Sequence, residues 1–139
     1  MITREILQKV TESFFNLYWN KSFGQYPQWS SHWDFNGTIP NNTMRGCYAL
    51  FNKEEVIYIG VGVGKSFGSY HGSGLGDRLK RYWKVNKIDS GNQYVATDDW
   101  SNVTCIITIG FEEKHYPLAA ALEIFLIREL NPPQNSQHK

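Results

Sequence analysis

A glutamate in the middle of an apolar run is the first candidate for chemistry. Ten of the thirteen residues from Leu118 to Leu130 are apolar, and Glu123 lies near their centre. The pattern from Pro117 to Asn131 predicts a helix in which only alanine, leucine and isoleucine lie three or four positions from Glu123. An unpaired carboxylate in such surroundings is destabilising or loses its charge. The sequence therefore predicts a cation or a distant arginine beside it, unless the carboxylate reaches solvent at the helix edge.

Two tyrosines lie in a predicted β-hairpin. Residues 46–51 and 56–60 are rich in β-branched and aromatic residues, and they flank four polar residues. If Tyr48 pairs directly with Tyr58, then Leu50 and Val56 share their face of the sheet. The opposite face is then formed by Cys47, Ala49, Phe51, Ile57, Ile59 and Val61. The alternation predicts one surface that carries both phenols, although an ordinary amphipathic hairpin with two half-exposed tyrosines shows the same pattern.

A glycine-rich loop follows this hairpin. Residues 60–66 end in Gly-Lys-Ser and follow a strand, as in a phosphate-binding loop, but three residues separate the outer glycines where that motif has four. Nucleotide binding is therefore a minor alternative. A loop of this kind can approach a ligand closely while it carries Lys65, Tyr70 and His71.

The next segment concentrates positive charge. The whole chain has 14 basic and 13 acidic residues, so nucleic-acid binding would depend on a local patch. The basic residues of this patch are Arg78, Lys80, Arg81, Lys84 and Lys87. The pattern from Leu75 to about Asn86 predicts a helix with Arg78 and Tyr82 on one face. A solvated helix face is the alternative to a binding surface.

The N-terminal third predicts elements that support this core. Thr3 can cap a helix that ends near Asn20. Its predicted apolar face is formed by Ile6, Leu7, Val10, Phe14, Leu17 and Tyr18. The aromatic residues of 23–35 either stack on bases or, as we expect, fill one side of the core.

Composition predicts one soluble domain. The chain has 139 residues, of which 41% are hydrophobic, which suits a single core. A polar loop from Ile88 to Ser101 precedes a third strand over residues 103–109, which we expect to be central or covered. The longest apolar run is too short to span a membrane. Two cysteines without a secretory signal indicate reduced thiols and a cytoplasmic location.

The order of these residues resembles the GIY-YIG nuclease superfamily from Gly46 to Asn135, about two-thirds of the chain. Gly46-Cys47-Tyr48 and Tyr58-Ile59-Gly60 match its two signature triplets. The later matches are Arg78, Tyr82, Glu123 and Asn135, which correspond to the arginine and tyrosine of its catalytic helix, its metal-binding glutamate and its closing asparagine. Val61 replaces a lysine that DNA-repair members often have, and restriction-enzyme members deliver lysine and histidine from a longer loop. Lys65 and His71 are therefore the candidates for that role.

The resemblance implies a metal-dependent endonuclease that hydrolyses phosphodiester bonds of double-stranded DNA. Glu123 would bind Mg²⁺ or Mn²⁺, Arg78 would hold a phosphate oxygen, Tyr58 would be the general base, and Tyr48 would orient the water or Tyr58. The predicted DNA contacts are Lys80, Arg81, Lys84 and Lys87.

The implied fold is α+β, with a small three-stranded antiparallel sheet flanked by helices. Residues 46–139 would form the catalytic core, and residues 1–45 would add an accessory helix and aromatic loop. A homo-oligomer is left open. The alternatives to a nuclease are a catalytically silent DNA-binding module of the same fold and an interaction domain.

Overall fold

A computed structural model describes residues 1–63, 74–88 and 91–135. Its helices and strands are α1 (Arg4–Tyr18), β1 (Arg45–Asn52), β2 (Glu55–Gly62), α2 (Leu75–Leu79), β3 (Trp83–Ile88), β4 (Gly91–Ala96), β5 (Cys105–Phe111) and α3 (Tyr116–Leu130). Short 3-10 turns are formed by Lys21–Phe23, Lys80–Tyr82, Asp98–Trp100 and Glu113–His115. No helix in these ranges is long and apolar enough to cross a membrane.

The main sheet is three-stranded and antiparallel, with the strand order β2-β1-β5. This confirms the predicted α+β class and the three-stranded antiparallel sheet. Strand β1 is central, and β5 is the covered strand, because Trp33 and Ile106 exchange backbone hydrogen bonds of 2.8 and 2.9 Å along its outer edge. The described chain also contains a separate two-stranded sheet, β3-β4, which the sequence did not predict.

The register of the β1-β2 hairpin differs from the predicted one. Tyr48 lies opposite Gly60 and Tyr58 opposite Leu50, so direct pairing of the two tyrosines is wrong. A register shift of two residues leaves side chains on the same face of the sheet, and both phenols still belong to one buried cluster. A bulge after Leu50 leaves one extra residue in β2. Val56 and Ile57 consequently exchange faces relative to the prediction.

Helices α1 and α3 cover one face of the main sheet. Their buried side chains, which include Leu7, Phe14 and Leu122, share a core with Ala49 and Ile59. Helix α3 ends at Leu130, close to the predicted end, and Asn131 caps it in the left-handed conformation with a φ of 48°. Helix α1, in the N-terminal segment, contributes Leu7 and Phe14 to the same core.

Helix α1 has the predicted cap and length, but its buried face is rotated. The Thr3 hydroxyl accepts a hydrogen bond from Ile6 N, as expected. Three residues of the predicted apolar face, Ile6, Leu17 and Tyr18, are 41%, 67% and 58% exposed. Thr11 is buried instead, because its hydroxyl donates to Leu7 O and accepts from Trp29 Nε1, which satisfies it inside the core.

The aromatic loop fills the core, as expected. Trp29 is buried against α1, and the ring of Tyr26 stacks on Phe15 with centroids 4.4 Å apart. Trp33 belongs to the second core cluster, on the face that carries the phenols.

The predicted helix from Leu75 to Asn86 is wrong beyond its first half. Helix α2 stops at Leu79, one 3-10 turn follows, and β3 begins at Trp83. Strand β4 lies within the region predicted to be a polar loop. The Trp83 ring packs against Tyr94, with centroids 4.8 Å apart. Both rings also contact Trp33, with centroids 6.4 and 6.5 Å away. This long-range aromatic packing outweighs the local helical pattern.

Candidate active site

Three tyrosines from separate elements meet on one face of the main sheet. Their ring centroids are 6.3 Å apart for Tyr48 and Tyr58, 5.4 Å for Tyr48 and Tyr82, and 6.3 Å for Tyr58 and Tyr82. The hydroxyl oxygens of Tyr48 and Tyr82 are 2.6 Å apart and form a buried hydrogen bond. Tyr48 and Tyr82 are fully buried, whereas Tyr58 is 9% exposed.

Gly60 provides the space that Tyr48 occupies. A Cβ atom added at Gly60 would lie 2.3 Å from both Cζ and Oη of Tyr48. The phenol therefore lies directly across the backbone of β2, and a residue with a side chain at position 60 would displace it. This contact gives a physical reason for the glycine that follows Tyr58-Ile59.

Helix α2 is fixed by backbone contacts with the segment before β1. Leu75 N donates to Met44 O at 2.8 Å, and Gly76 N donates to Asn42 O at 2.9 Å. A Cβ atom added at Gly62 would lie 3.2 Å from the Cβ of Arg78, so the helix approaches β2 closely. These contacts hold Arg78 next to the phenols.

Arg78 acts electrostatically on the tyrosine cluster. Burial raises the pKa of Tyr48, and its hydrogen bond with Tyr82 and the charge of Arg78 offset only part of that rise. Burial, with the added effect of Tyr48, also raises the pKa of Tyr82. Both phenols therefore stay protonated near neutral pH. The Nε atom of Arg78 is buried and has no hydrogen-bond partner among the described residues.

Glu123 lies on α3 and is partly buried. Burial raises its pKa, and the positive charge of Arg78 opposes that rise. Arg78 acts on the Glu123 carboxylate only through its charge, because within the described ranges Glu123 has no ion-pair partner within 4 Å. The arginine or cation expected to contact Glu123 therefore stays a prediction. The Cys47 thiol donates to Ala119 O at 3.0 Å and ties β1 to this helix.

A divalent cation fits Glu123 as a single protein ligand. No group of three His, Cys, Asp or Glu side chains comes together in the part of the chain that the structure describes. Mg²⁺ commonly keeps several waters and is held by one or two carboxylates together with substrate phosphates. A partly buried carboxylate without an ion-pair partner matches that kind of site.

Asn135, grouped with the catalytic candidates by sequence, is buried against the outer edge of β2. Its Oδ1 accepts from Ile59 N at 2.9 Å, and its Nδ2 donates to Ile59 O at 2.8 Å. Gln134 N also donates to Ile57 O at 2.9 Å. Both ends of the Asn135 amide are therefore bound to the strand that carries Tyr58, which makes Asn135 a positioning residue.

The predicted DNA-binding cations do not lie along one helix. Lys80 and Arg81 are exposed on the 3-10 turn after α2, and Lys84 is exposed at the start of β3, which also contains Lys87. Lys80 pairs with Asp77 at 3.5 Å and Lys84 with Asp98 at 3.2 Å, both at the surface. Lys65 and His71 lie outside the described residues.

Trp100 is a neighbour of the site that the sequence did not reveal. Its ring centroid lies 5.2 Å from that of Tyr58 and 4.8 Å from that of Tyr82. Trp100 is 8% exposed and shields the phenols on this side. It follows two aspartates in a polar stretch, where no periodicity marks it as buried.

Comparisons with protein-family models, with curated proteins and with solved structures found no match to this chain.

Proposed function

We propose that this protein is a divalent-metal-dependent DNA endonuclease of the GIY-YIG type. The observation that carries the proposal is the 2.6 Å hydrogen bond between Tyr48 and Tyr82, which joins two residues of the motif that are 34 positions apart. Tyr58 and Arg78 lie in the same cluster, and Arg78 acts on the charge of Glu123. Tyr48, Tyr58, Arg78 and Tyr82, which are far apart in the sequence, thus come together, and this supports the proposal.

Arg78 would hold the scissile phosphate. Its guanidinium is charged at every accessible pH and presents several donors in one plane, which suits phosphate oxygens. Arg78 interacts electrostatically with the phenols and with Glu123, so a phosphate bound to it would lie within the influence of both groups. Neutralising the phosphate charge is the first requirement for attack by water.

Tyr58 is the tyrosine best suited to accept the proton of the attacking water. The other two phenols are fully buried, bond to each other and have raised pKa values. Tyr58 is the most exposed of the three, and Arg78 lies close enough to interact with it. In this proposal Tyr48 and Tyr82 position Tyr58 and Arg78.

Glu123 would hold Mg²⁺ or Mn²⁺. Bound there, the ion would neutralise charge at the phosphate and stabilise the leaving oxygen. Arg78 favours the ionised carboxylate that such binding requires. Lys80, Arg81 and Lys84 would hold the duplex through its phosphates, which contributes affinity without reading sequence.

A matched pair of arginine substitutions tests this function. The wild type should nick or cut plasmid DNA in Mg²⁺ and stop in chelator. Arg78→Lys should reduce cutting ~100-fold or more, the usual effect of losing one donor at a developing charge. Arg128→Lys, at an exposed position on α3, should cut like the wild type. Full cutting by Arg78→Lys would contradict the assignment, and binding without cutting by the wild type would favour the silent DNA-binding module.

A further inference from the structure

An aromatic cleft lies beside α2 and the β3-β4 hairpin. Its volume is about 520 Å³, which is within the usual range for small-molecule sites. Trp33, Trp83 and Tyr94 supply its aromatic wall. Lys80 and Asn42 lie on its polar side. The cleft thus combines ring surfaces with hydrogen-bonding groups.

The aromatic wall is assembled from two parts of the chain. Trp83 and Tyr94 are diagonal neighbours on the β3-β4 hairpin, with ring centroids 4.8 Å apart. The ring of Trp33 lies 6.4 and 6.5 Å from them. The rings of Trp83 and Tyr94 are only partly buried, so part of their surface borders the cleft. Base-aromatic stacking needs an accessible ring of this kind.

The indole N–H of Trp83 in this wall reduces the stability of the fold. The indole Nε1 of Trp83 is buried and has no acceptor among the described residues. A buried donor without a partner costs about 1–3 kcal/mol. A leucine would provide apolar packing without that cost, which indicates that the broad ring of Trp83 serves more than packing.

The polar side of the cleft offers groups for a base edge and a phosphate. The side chains of Asn42 and Thr38 make no hydrogen bond within the described ranges. An amide can both donate to and accept from a base. Lys80 pairs only with Asp77, at the surface, and is 65% exposed, so it can turn toward a phosphate.

The cleft and the candidate active site share helix α2. Gly76, Asp77 and Lys80 border the cleft, while Arg78 lies beside the phenols. A helix is about 10 Å across with its side chains. A strand whose phosphate is held by Arg78 would therefore pass the opening of the cleft within a nucleotide or two.

We infer that the cleft binds one unstacked nucleobase of a DNA strand held at the active site. This inference rests on the proposed function, since that function brings DNA to α2. Unstacking a base costs least where it is already unpaired. The cleft should therefore favour DNA with a single-stranded or bulged nucleotide over a fully paired duplex.

Binding measured in chelator tests the inference without requiring cleavage. A fluorescent oligonucleotide, either single-stranded or in a duplex with one bulged nucleotide, should bind more tightly than the matched duplex by fluorescence anisotropy. Tyr94→Leu should weaken binding to the bulged DNA by about 5- to 100-fold, the range expected for one lost stacking contact. Tyr94→Phe should bind like the wild type. Tyr18→Leu, an exposed aromatic position on α1, is the matched control.

Photocrosslinking gives a direct readout on the wild type, which does not depend on the folding of any variant. A 5-iodouracil placed at the bulge should crosslink to Trp33, Trp83 or Tyr94. Crosslinks found only elsewhere, or unchanged binding by a folded Tyr94→Leu, would overturn the inference. Plasmid cutting without crosslinks to the cleft would support the nuclease function and refute base binding in the cleft. Crosslinks to the cleft without plasmid cutting would support base binding there and refute the nuclease function.

Discussion

Replacing Gly60 with alanine should disrupt the tyrosine cluster from the opposite strand. The new methyl group would lie 2.3 Å from Cζ and Oη of Tyr48. An ordinary carbon contact needs ~3.5 Å, so the ring would have to withdraw by about 1 Å. The backbone of β2 cannot give way easily, because the Asn135 amide hydrogen-bonds to both the N–H and the C=O of Ile59.

The size of the effect follows from two contributions. Displacing Tyr48 by that distance would break its 2.6 Å hydrogen bond with Tyr82, which joins two buried hydroxyls. The lost hydrogen bond costs about 1–3 kcal/mol, and overpacking costs about 1–3 kcal/mol more. A fall in unfolding free energy of about 2–6 kcal/mol corresponds to a decrease in Tm of roughly 6–20 °C.

Thermal and denaturant unfolding of four proteins would measure this effect. The wild type, Gly60→Ala, Tyr48→Leu and the double variant form a thermodynamic cycle. Leucine lacks the ring atoms that collide with the new methyl group, so Gly60→Ala should cost much less in the Tyr48→Leu background. An equal loss of unfolding free energy in both backgrounds would refute the proposed collision. It would show that Gly60 acts through the backbone of β2 and not through Tyr48.

Three further predictions concern charge and proton transfer. Tyr58→Phe should fold normally and cut DNA at least ~100-fold more slowly, as expected for a lost general base; wild-type cutting would remove Tyr58 from the mechanism. Replacing Lys80 and Lys84 with glutamine should weaken binding to all sequences alike and lower the salt slope by ~1 per lost phosphate contact; an unchanged slope would place the DNA elsewhere. Because burial raises the pKa of Glu123, the folded state binds its proton more tightly than the unfolded state, and stability falls as pH rises through the carboxyl titration. Glu123→Gln should therefore melt at an equal or higher temperature in chelator, with a gain that vanishes at low pH; a Tm several degrees lower near neutral pH would identify a structural ion pair.

Local patterns in the sequence predict the elements that carry the site. The cap at Thr3, the proline and asparagine that bound α3, and the alternation around Tyr48 each depend on neighbours a few residues away. The shared face of Tyr48 and Tyr58 is predicted for the same reason, although their exact pairing is not. A shift of two residues leaves every side chain on its original face, so the hydrophobic pattern cannot detect it.

Long-range packing accounts for the features that the sequence did not predict. Only the residues from Trp83 to Asn86 alternate as in a strand, and the basic residues of this segment also fit a helix face. Contact of Trp83 with Tyr94 and Trp33 favours the strand. Trp100 joins the phenols through contacts that no local pattern marks. Asn135 hydrogen-bonds to β2 because the C-terminal segment runs along that strand, a contact that no local sequence pattern indicates.

Plasmid cleavage by wild type and Glu123→Gln in Mg²⁺, with DNA binding measured on the same samples, is the most direct test of metal-dependent cutting at this site. The wild type should cut, whereas Glu123→Gln should bind DNA with similar affinity but cut at less than ~1% of the wild-type rate, since the site has lost its hard-cation ligand. Cutting by Glu123→Gln at the wild-type rate, or a wild type that binds DNA and never cuts it, would contradict the proposed nuclease function.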